Sequence, residues 1–150
     1  MTGKFHDQVA VISGGADGLG KSIAMRLGAE GAKLAIYDNN PAKLRSIVAE
    51  LQGAGYQVAG FTVDISLEQD VVNAFKGVED HFGRIDIMVN SAGIVGPTNP
   101  SILDYAVDDF DKVYRVNLRG AFLMSKYALQ VMAKRGYGRV LLIASIAGKE

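Results

Sequence analysis

The chain has 150 residues, 49% hydrophobic and 21% charged, with 18 glycines, no cysteine, and 16 basic against 16 acidic side chains. That size and balance fit one globular domain and exclude a disulfide framework, a Cys-ligated zinc or iron–sulfur centre and a cysteine nucleophile. Zero formal net charge without a Lys/Arg cluster argues against a nucleic-acid partner, and no apolar run approaches the length of a membrane span.

In chain order, apolar runs alternate with helical stripes. Gln8 to Ser13 reads as a strand, and the glycine-rich turn Gly14 to Gly20 follows it. A helix begins near Gly18, with Leu19, Ile23 and Leu27 as its stripe and Gly31 as its stop. Lys33 to Tyr37 is a second strand. Asn40 and Pro41 supply an N-cap and first-turn proline for a helix carrying Leu44, Ile47, Val48 and Leu51, ended by Gly53 and Gly55. A third strand covers Gln57 to Val63. Ser66 and Gln69 have capping-box spacing at the head of a helix striped by Val71, Phe75, Val78 and Phe82, and Gly83 closes it. Ile85 to Val89 is strand four, a Pro-containing loop runs from Gly93 to Ile102, and a long helical region from Asp104 to Arg135 leads to strand five, Arg139 to Ala144.

Nearly continuous apolar strands separated by amphipathic helices predict an α/β fold, a doubly wound parallel sheet with both faces covered and strand order 3-2-1-4-5. In such sheets ligands sit outside the carboxyl ends of the strands. Each of those ends carries polar or small residues here: Ser13-Gly14, Asp38, Asp64, Asn90-Ser91-Ala92-Gly93 and Ser145. Any one alone is ordinary turn chemistry; five together mark one edge of the sheet as the site.

The sharpest motif is SGGADGLG. Gly14, Gly18 and Gly20 allow a tight turn, close approach of backbone amides to a pyrophosphate and close packing of helix on sheet. The spacing G-x-x-x-G-x-G differs from G-x-G-x-x-G, and Gly20-Lys21-Ser22 follows it, so the dinucleotide reading rests on the loop's place between a strand and a helix together with Asp38. Asp38, 18 residues past Gly20, is placed to accept hydrogen bonds from ribose hydroxyls. A 2′-phosphate about 4 Å away would be repelled by about 4 kcal/mol at an effective dielectric near 20, so NAD is expected over NADP. Asp17 adds no basic group to that loop.

SGGADGLG, Asp38, Val63-Asp64, NSAG at 90–93, Asn117 in VNLRGAF and Ser145 in IASIAG together resemble the short-chain dehydrogenase/reductase family, in family order across the whole chain. Ser13 stands where Thr is commoner, and Ser91 replaces the second Asn of NNAG. The resemblance implies cofactor contacts from Ser13, Gly14, Asp17, Gly18, Leu19, Gly20, Asp38, Asp64, Ile65, Asn90, Ala92, Gly93 and Ala144. It makes Asn117 and Ser145 catalytic, the first organising a proton relay and the second polarising a carbonyl oxygen.

The residues support both positions: Asn117 extends the helical stripe of Phe110, Val113 and Tyr114, which predicts a buried amide, and Ser145 ends a strand expected to be buried. A satisfied helix kink and a plain turn serine are the bland alternatives. The family's acid/base is a Tyr-x-x-x-Lys pair, the lysine lowering the phenol's proton affinity. None of the six tyrosines has a lysine four residues on. The expectation is therefore that residues 1–150 are the N-terminal, NAD-binding Rossmann-like part of a longer single-domain chain, with the pair beyond Glu150 and no turnover by this segment alone.

His6 and His81 are too few for a metal site, and none is expected. Helix residues 118–135 carry Leu118, Phe122 and Leu129 on one face and Leu123, Tyr127 and Val131 on another, which together with the resemblance predicts a homo-oligomer. The start MTGKFHDQ lacks the apolar stretch of a signal peptide, so a cytoplasmic protein is expected. The function expected is NAD-dependent hydride transfer with a secondary alcohol or ketone, in the class of sugars, sugar acids or polyols. A 3-oxoacyl-carrier-protein reductase-like enzyme using NADPH and a non-catalytic NAD-binding module are the alternatives. A methyltransferase shares the glycine loop and the strand-two acid but gives NSAG, Asn117 and Ser145 no role.

Overall fold

The computed structural model describes residues 3–146. Strands β1 (Val9–Ser13), β2 (Lys33–Asp38), β3 (Val58–Thr62), β4 (Ile87–Asn90) and β5 (Arg139–Leu142) form one sheet in the order β3-β2-β1-β4-β5, every pairing parallel. This is the doubly wound α/β arrangement expected from the alternation. Helices α1 (Gly18–Ala29), α2 (Pro41–Gly53), α3 (Glu68–Phe82), α4 (Val107–Val113) and α5 (Ala121–Ala133) complete it, with a π-helical segment at Tyr114–Gly120 joining the last two.

The central strands are buried on both faces because both faces of each are apolar. Val9, Val11, Ala35 and Met88 point into a core shared with Val71, Phe75 and Val78 of α3 and Leu123, Ala128 and Met132 of α5. Ala10, Ile12, Leu34, Ile36 and Val89 point the other way, against Ala24 and Leu27 of α1 and Leu44, Ile47 and Leu51 of α2. Each fully buried Leu or Ile there contributes about 2 kcal/mol of transfer free energy. The expectation of a buried fifth strand is corrected: among the described residues β5 pairs only with β4, and Arg139, Leu141 and Leu142 are exposed.

Helix starts follow local chemistry in part. Asn40 caps α2, its Oδ1 accepting from the amides of Ala42 and Lys43 at 3.0 Å each, with Pro41 in the first turn. The capping box at Ser66 and Gln69 does not form. The Ser66 hydroxyl instead donates to Asp64 Oδ1 at 2.7 Å, and α3 starts after Leu67 with no side-chain cap. Gly83 closes α3 in the left-handed region, at φ 75°.

Two stripes face differently from the sequence expectation. In α1 the buried residues are Gly20, Ala24, Leu27 and Gly28, while Leu19 is 65% exposed. The small residues face the sheet because the helix comes so close that a Cβ on Gly20 would overlap the Gly14 carbonyl oxygen. The region expected as one helix from 104 to 135 starts only at Val107 and contains the π segment. Its wider turns shift the helix phase, so Phe110 and Tyr114 lie outward, 61% and 48% exposed, while Leu123, Met124, Ala128, Val131 and Met132 of α5 turn into the core.

Candidate functional site

A cleft of about 450 Å³ opens at the carboxyl ends of the strands. It is lined from the first two crossovers by Gly14, Asp17, Tyr37, Asp38 and Asn39, and from the others by Asp64, Ile65, Ser66, Ala92, Gly93, Ile94, Lys112 and Arg115. Of the sequence-predicted residues, Gly14, Asp17, Asp38, Asp64, Ile65, Ala92 and Gly93 therefore meet in one place.

The glycine loop is shaped by backbone constraints. Gly14 has φ +62°, and a Cβ there would come within 2.9 Å of the Ala92 backbone, so the loop can pass the β4 end only as glycine. Gly18 has φ +53° with no atom within 4 Å of where its Cβ would be, which leaves open space at the N-terminus of α1. Leu19 sits exposed on the rim, and Gly20 packs under the loop. Ser13 and Asn90 lie one layer below. Both are buried, the Ser13 hydroxyl donates to Asn90 Oδ1 at 2.6 Å, and the Ala92 amide donates to Ser13 Oγ at 3.3 Å. These two bonds tie the ends of β1 and β4 and so set the position of Gly14 relative to Ala92.

Asp38 is held by two amides: Ala16 N–H donates to Oδ2 at 3.3 Å and Asn40 N–H to Oδ1 at 2.9 Å. Asp17 caps α1, its Oδ1 accepting from Gly18 N–H at 2.8 Å, and its Oδ2 meets Lys43 Nζ at 2.9 Å. The Lys43 hydrogen bond, then the Gly18 amide, hold the Asp17 carboxyl below the usual range, and Asp17 in turn raises the Lys43 ammonium. Asp17 supplies no basic group, but Lys43 brings one to the loop. Lys43 reaches it from the first turn of α2, because in a parallel sheet every crossover helix starts at the edge where the strands end.

On the far wall, Asp64 Oδ1 accepts from both the amide and the hydroxyl of Ser66, at 2.9 and 2.7 Å, which folds the 64–66 turn toward the cleft. Lys112 and Arg115, with Arg115 3.7 Å from Asp111, border the opening, and Arg119 donates to the Ser66 carbonyl.

Asn117 is exposed, which corrects the expected buried amide: the π segment turns it off the packed face. Both ends of its amide are nonetheless engaged. Ile94 N–H donates to its Oδ1 and its Nδ2 donates to the Ile94 carbonyl, both at 2.9 Å. Ser145 and Ala144 lie beyond β5, exposed, and do not line the cleft. Tyr37, Lys43, Lys112 and Arg115 were not singled out as site residues from sequence. For Lys43 the usable signal was its place in the turn after Asn40-Pro41, which puts it beside the strand-two acid.

Among the described residues no helix is long and apolar enough to cross a membrane, and no three His, Cys, Asp or Glu side chains gather as a metal site.

A parallel sheet with a glycine loop after β1 and an acid ending β2 defines the nucleotide-binding class of α/β proteins. The family model described as short chain dehydrogenase matches residues 8–150, and the chain belongs to that family. It is 38% identical over its whole length to a 2-dehydro-3-deoxy-L-rhamnonate dehydrogenase (NAD(+)) from Sphingomonas sp., covering 58% of that protein. It is 40% identical to levodione reductase from Leifsonia aquatica, across 98% of this chain and 55% of that one. The crystal structure of NAD+-bound xylitol dehydrogenase superposes with a TM-score of 0.94 at 33% identity, covering 98% of this chain and 56% of that one. The chain thus spans a little over half the length of these relatives.

Proposed function

We propose that the cleft binds NAD and that the protein to which these residues belong is an oxidoreductase interconverting a secondary alcohol and a ketone. The observation that carries this reading is Asp38: a carboxylate fixed by two backbone amides at the end of β2, lining the cleft next to a glycine loop. The residues fit such a group. The Gly14 and Gly18 backbone leaves no side chain in the way, the open N-terminus of α1 favours a pyrophosphate, and Asp38 is a ribose acceptor that would repel a 2′-phosphate. When bound, the nicotinamide supplies the hydride acceptor or donor.

The chain's own residues would bind and orient. Gly14, Gly18 and Gly20 hold the loop that would pass under the pyrophosphate. Asp64, Ile65, Ala92 and Gly93 form the opposing wall, and Ser13 with Asn90 keeps the two walls in register. Asn117 fixes the 93–94 backbone, and Ser145 is assigned the contact to the substrate oxygen, in keeping with the resemblance. The substrate class favoured is a sugar acid or polyol, because a relative is named for a deoxy sugar acid with NAD(+) and a structural neighbour for xylitol with NAD+. Leu118, Phe122 and Leu129, exposed at 61%, 61% and 53%, support self-association through this helix.

Lys43 is the observation that favours an NADP(H)-using reductase. It is already neutralised by Asp17, so it offers a 2′-phosphate little net positive charge. Titrating the protein with NADH and NADPH decides between them. Tighter NADH binding is expected; tighter NADPH binding would overturn the assignment.

A further inference from the structure

Among the described residues β3 pairs only with β2, in parallel register from Leu34↔Val58 to Asp38↔Thr62. The Leu34 amide donates to the Gln57 carbonyl at 2.8 Å and the Val63 amide to the Asp38 carbonyl at 3.0 Å. Residues 57, 59, 61 and 63 therefore turn their backbone groups toward β2, and the N–H and C=O groups of Val58, Gly60 and Thr62 point away from the sheet. Such an edge is usually blunted by a charge, a proline or a bulge. The strand VAGFT has no charge and no proline, and its pairing runs without a bulge.

Two hollows flank this edge, one on each face of the sheet, and both reach Gly60 and Thr62. The one on the α2 side, about 330 Å³, is formed by Pro41, Leu44, Val48 and Ala49, with Arg45 at its border. The one on the α3 side, about 390 Å³, is formed by Phe61, Asp70, Asn73 and Ala74. Arg45 is exposed and makes no hydrogen bond or ion pair among the described residues. Asp70 spends Oδ2 on the Asp64 amide, at 3.2 Å, and keeps its other oxygen for a partner. A strand added to this edge would send successive side chains alternately into the two hollows, one bordered by a cation and the other by a carboxylate.

We infer that the β3 edge is a docking site for an extended segment of a partner protein, taken up as a further strand with an acidic side chain toward Arg45 and a basic one toward Asp70. The backbone groups of Val58, Gly60 and Thr62 supply the main-chain bonds, and the two charges supply the selectivity. Charge also decides against a second copy of this chain. Antiparallel pairing of β3 with itself keeps each face of the sheet on its own side, so Arg45 would meet Arg45 and Asp70 would meet Asp70. The edge is separate from the cleft and does not rest on the nucleotide reading.

The probe is the dye-labelled peptide Val-Thr-Val-Glu-Lys-Val-Thr-Val, blocked at both ends, with anisotropy and hydrogen exchange of the full chain as readouts. The peptide is expected to bind and to slow exchange in residues 57–63. Thr62→Pro removes one outward N–H where an edge strand tolerates proline, and should weaken binding about three- to tenfold. Arg45→Glu should weaken it about three- to fivefold at low salt, and about 0.5 M salt should erase that difference while leaving the first. A peptide N-methylated at every residue has no donors to offer and should not bind, which tests the edge with the protein unaltered. No binding by the wild type, unchanged exchange at 57–63, or equal binding of the methylated peptide would overturn the inference. Protection of 57–63 that grows with protein concentration in the absence of peptide would give the edge to a second copy and overturn it as well.

Discussion

Asn117 grips Ile94 with both ends of its amide, accepting from the Ile94 N–H and donating to the Ile94 carbonyl, each at 2.9 Å. The pair links the π-helical segment to the strand-four turn across 23 residues of sequence, and Ile94 is itself part of the cleft wall. Asn117→Ala should cost about 1–2 kcal/mol in chemical denaturation, two exposed hydrogen bonds at their usual net value. Amide exchange at Ile94 should accelerate at the same time. A variant with unchanged exchange there would show that the turn is held by something else.

Asp38 tests cofactor choice. Asp38→Asn removes the charge and keeps an acceptor for only one of the Ala16 and Asn40 amides, so a loss of about 1 kcal/mol in stability is expected with the fold retained. Binding measurements should show weaker NADH and stronger NADPH affinity, with the ratio between them moving at least about tenfold, a fraction of the unscreened repulsion. A ratio that stays put would mean that Asp38 does not face the ribose.

Gly20 and Gly53 should respond to alanine with opposite signs. A Cβ on Gly20 would overlap the Gly14 carbonyl oxygen, a backbone atom that cannot move without distorting the loop, whereas Gly53 at the end of α2 has nothing within 4 Å. Gly20→Ala is expected to destabilise by about 2 kcal/mol or more, the scale of overpacking. Gly53→Ala should stabilise by up to about 1 kcal/mol through the unfolded chain. Urea titration of the two variants reads both signs.

The exposed Asp17–Lys43 pair has a defined pH signature. Asp17 is lowered, chiefly by the Lys43 hydrogen bond, so its contribution is complete above the ordinary aspartate value and disappears as pH falls through the lowered one. Lys43 is raised by Asp17, so its share is complete below the ordinary lysine value and is lost as pH climbs through the raised one. Lys43→Met should therefore lower the thermal midpoint by about a degree or two over a plateau from about pH 5 to about pH 9. The difference should close at both extremes, and 0.5 M salt should shrink it throughout. A difference that survives high salt would point to packing of the lysine stem.

At the opposite end of the sheet, Asp86 is fully buried and accepts from Val9 N–H at 2.9 Å and from Arg84 Nε at 2.7 Å. Asp86→Ala strands a β1 amide and removes the partner of Arg84, which is expected to cost about 2–4 kcal/mol. Thermal denaturation of the variant checks it. A smaller loss would mean that water reaches the Val9 amide.

The strand–helix alternation was legible because buried parallel strands must be apolar on both faces, as VAVIS in β1 and LAIY in β2 are. The cleft residues Gly14, Asp38, Asp64, Ala92 and Gly93 were legible because each follows a strand, and all parallel strands end at one edge. Three expectations failed where a competing contact or a change of period overrode the spacing. Leu19 has the spacing of a core stripe, but close packing turned Gly20 inward. Ser66 has the spacing of a cap, but Asp64 took its hydroxyl. Asn117 lies on a 3.6-residue stripe, but the π segment does not follow that period.

What the sequence by itself determined is therefore the period-based layer: which segments are strands, their order in a doubly wound sheet, and which edge carries the polar ends. Only the tertiary structure decided the pairings: Lys43 on Asp17, Asn117 on Ile94, Ser13 on Asn90, and Tyr37 without a partner at the floor of the cleft. The reason is physical. Periodicity is a property of neighbours along the chain, whereas hydrogen bonding and close approach depend on residues 23, 26 or 77 positions apart that meet only once the sheet has formed.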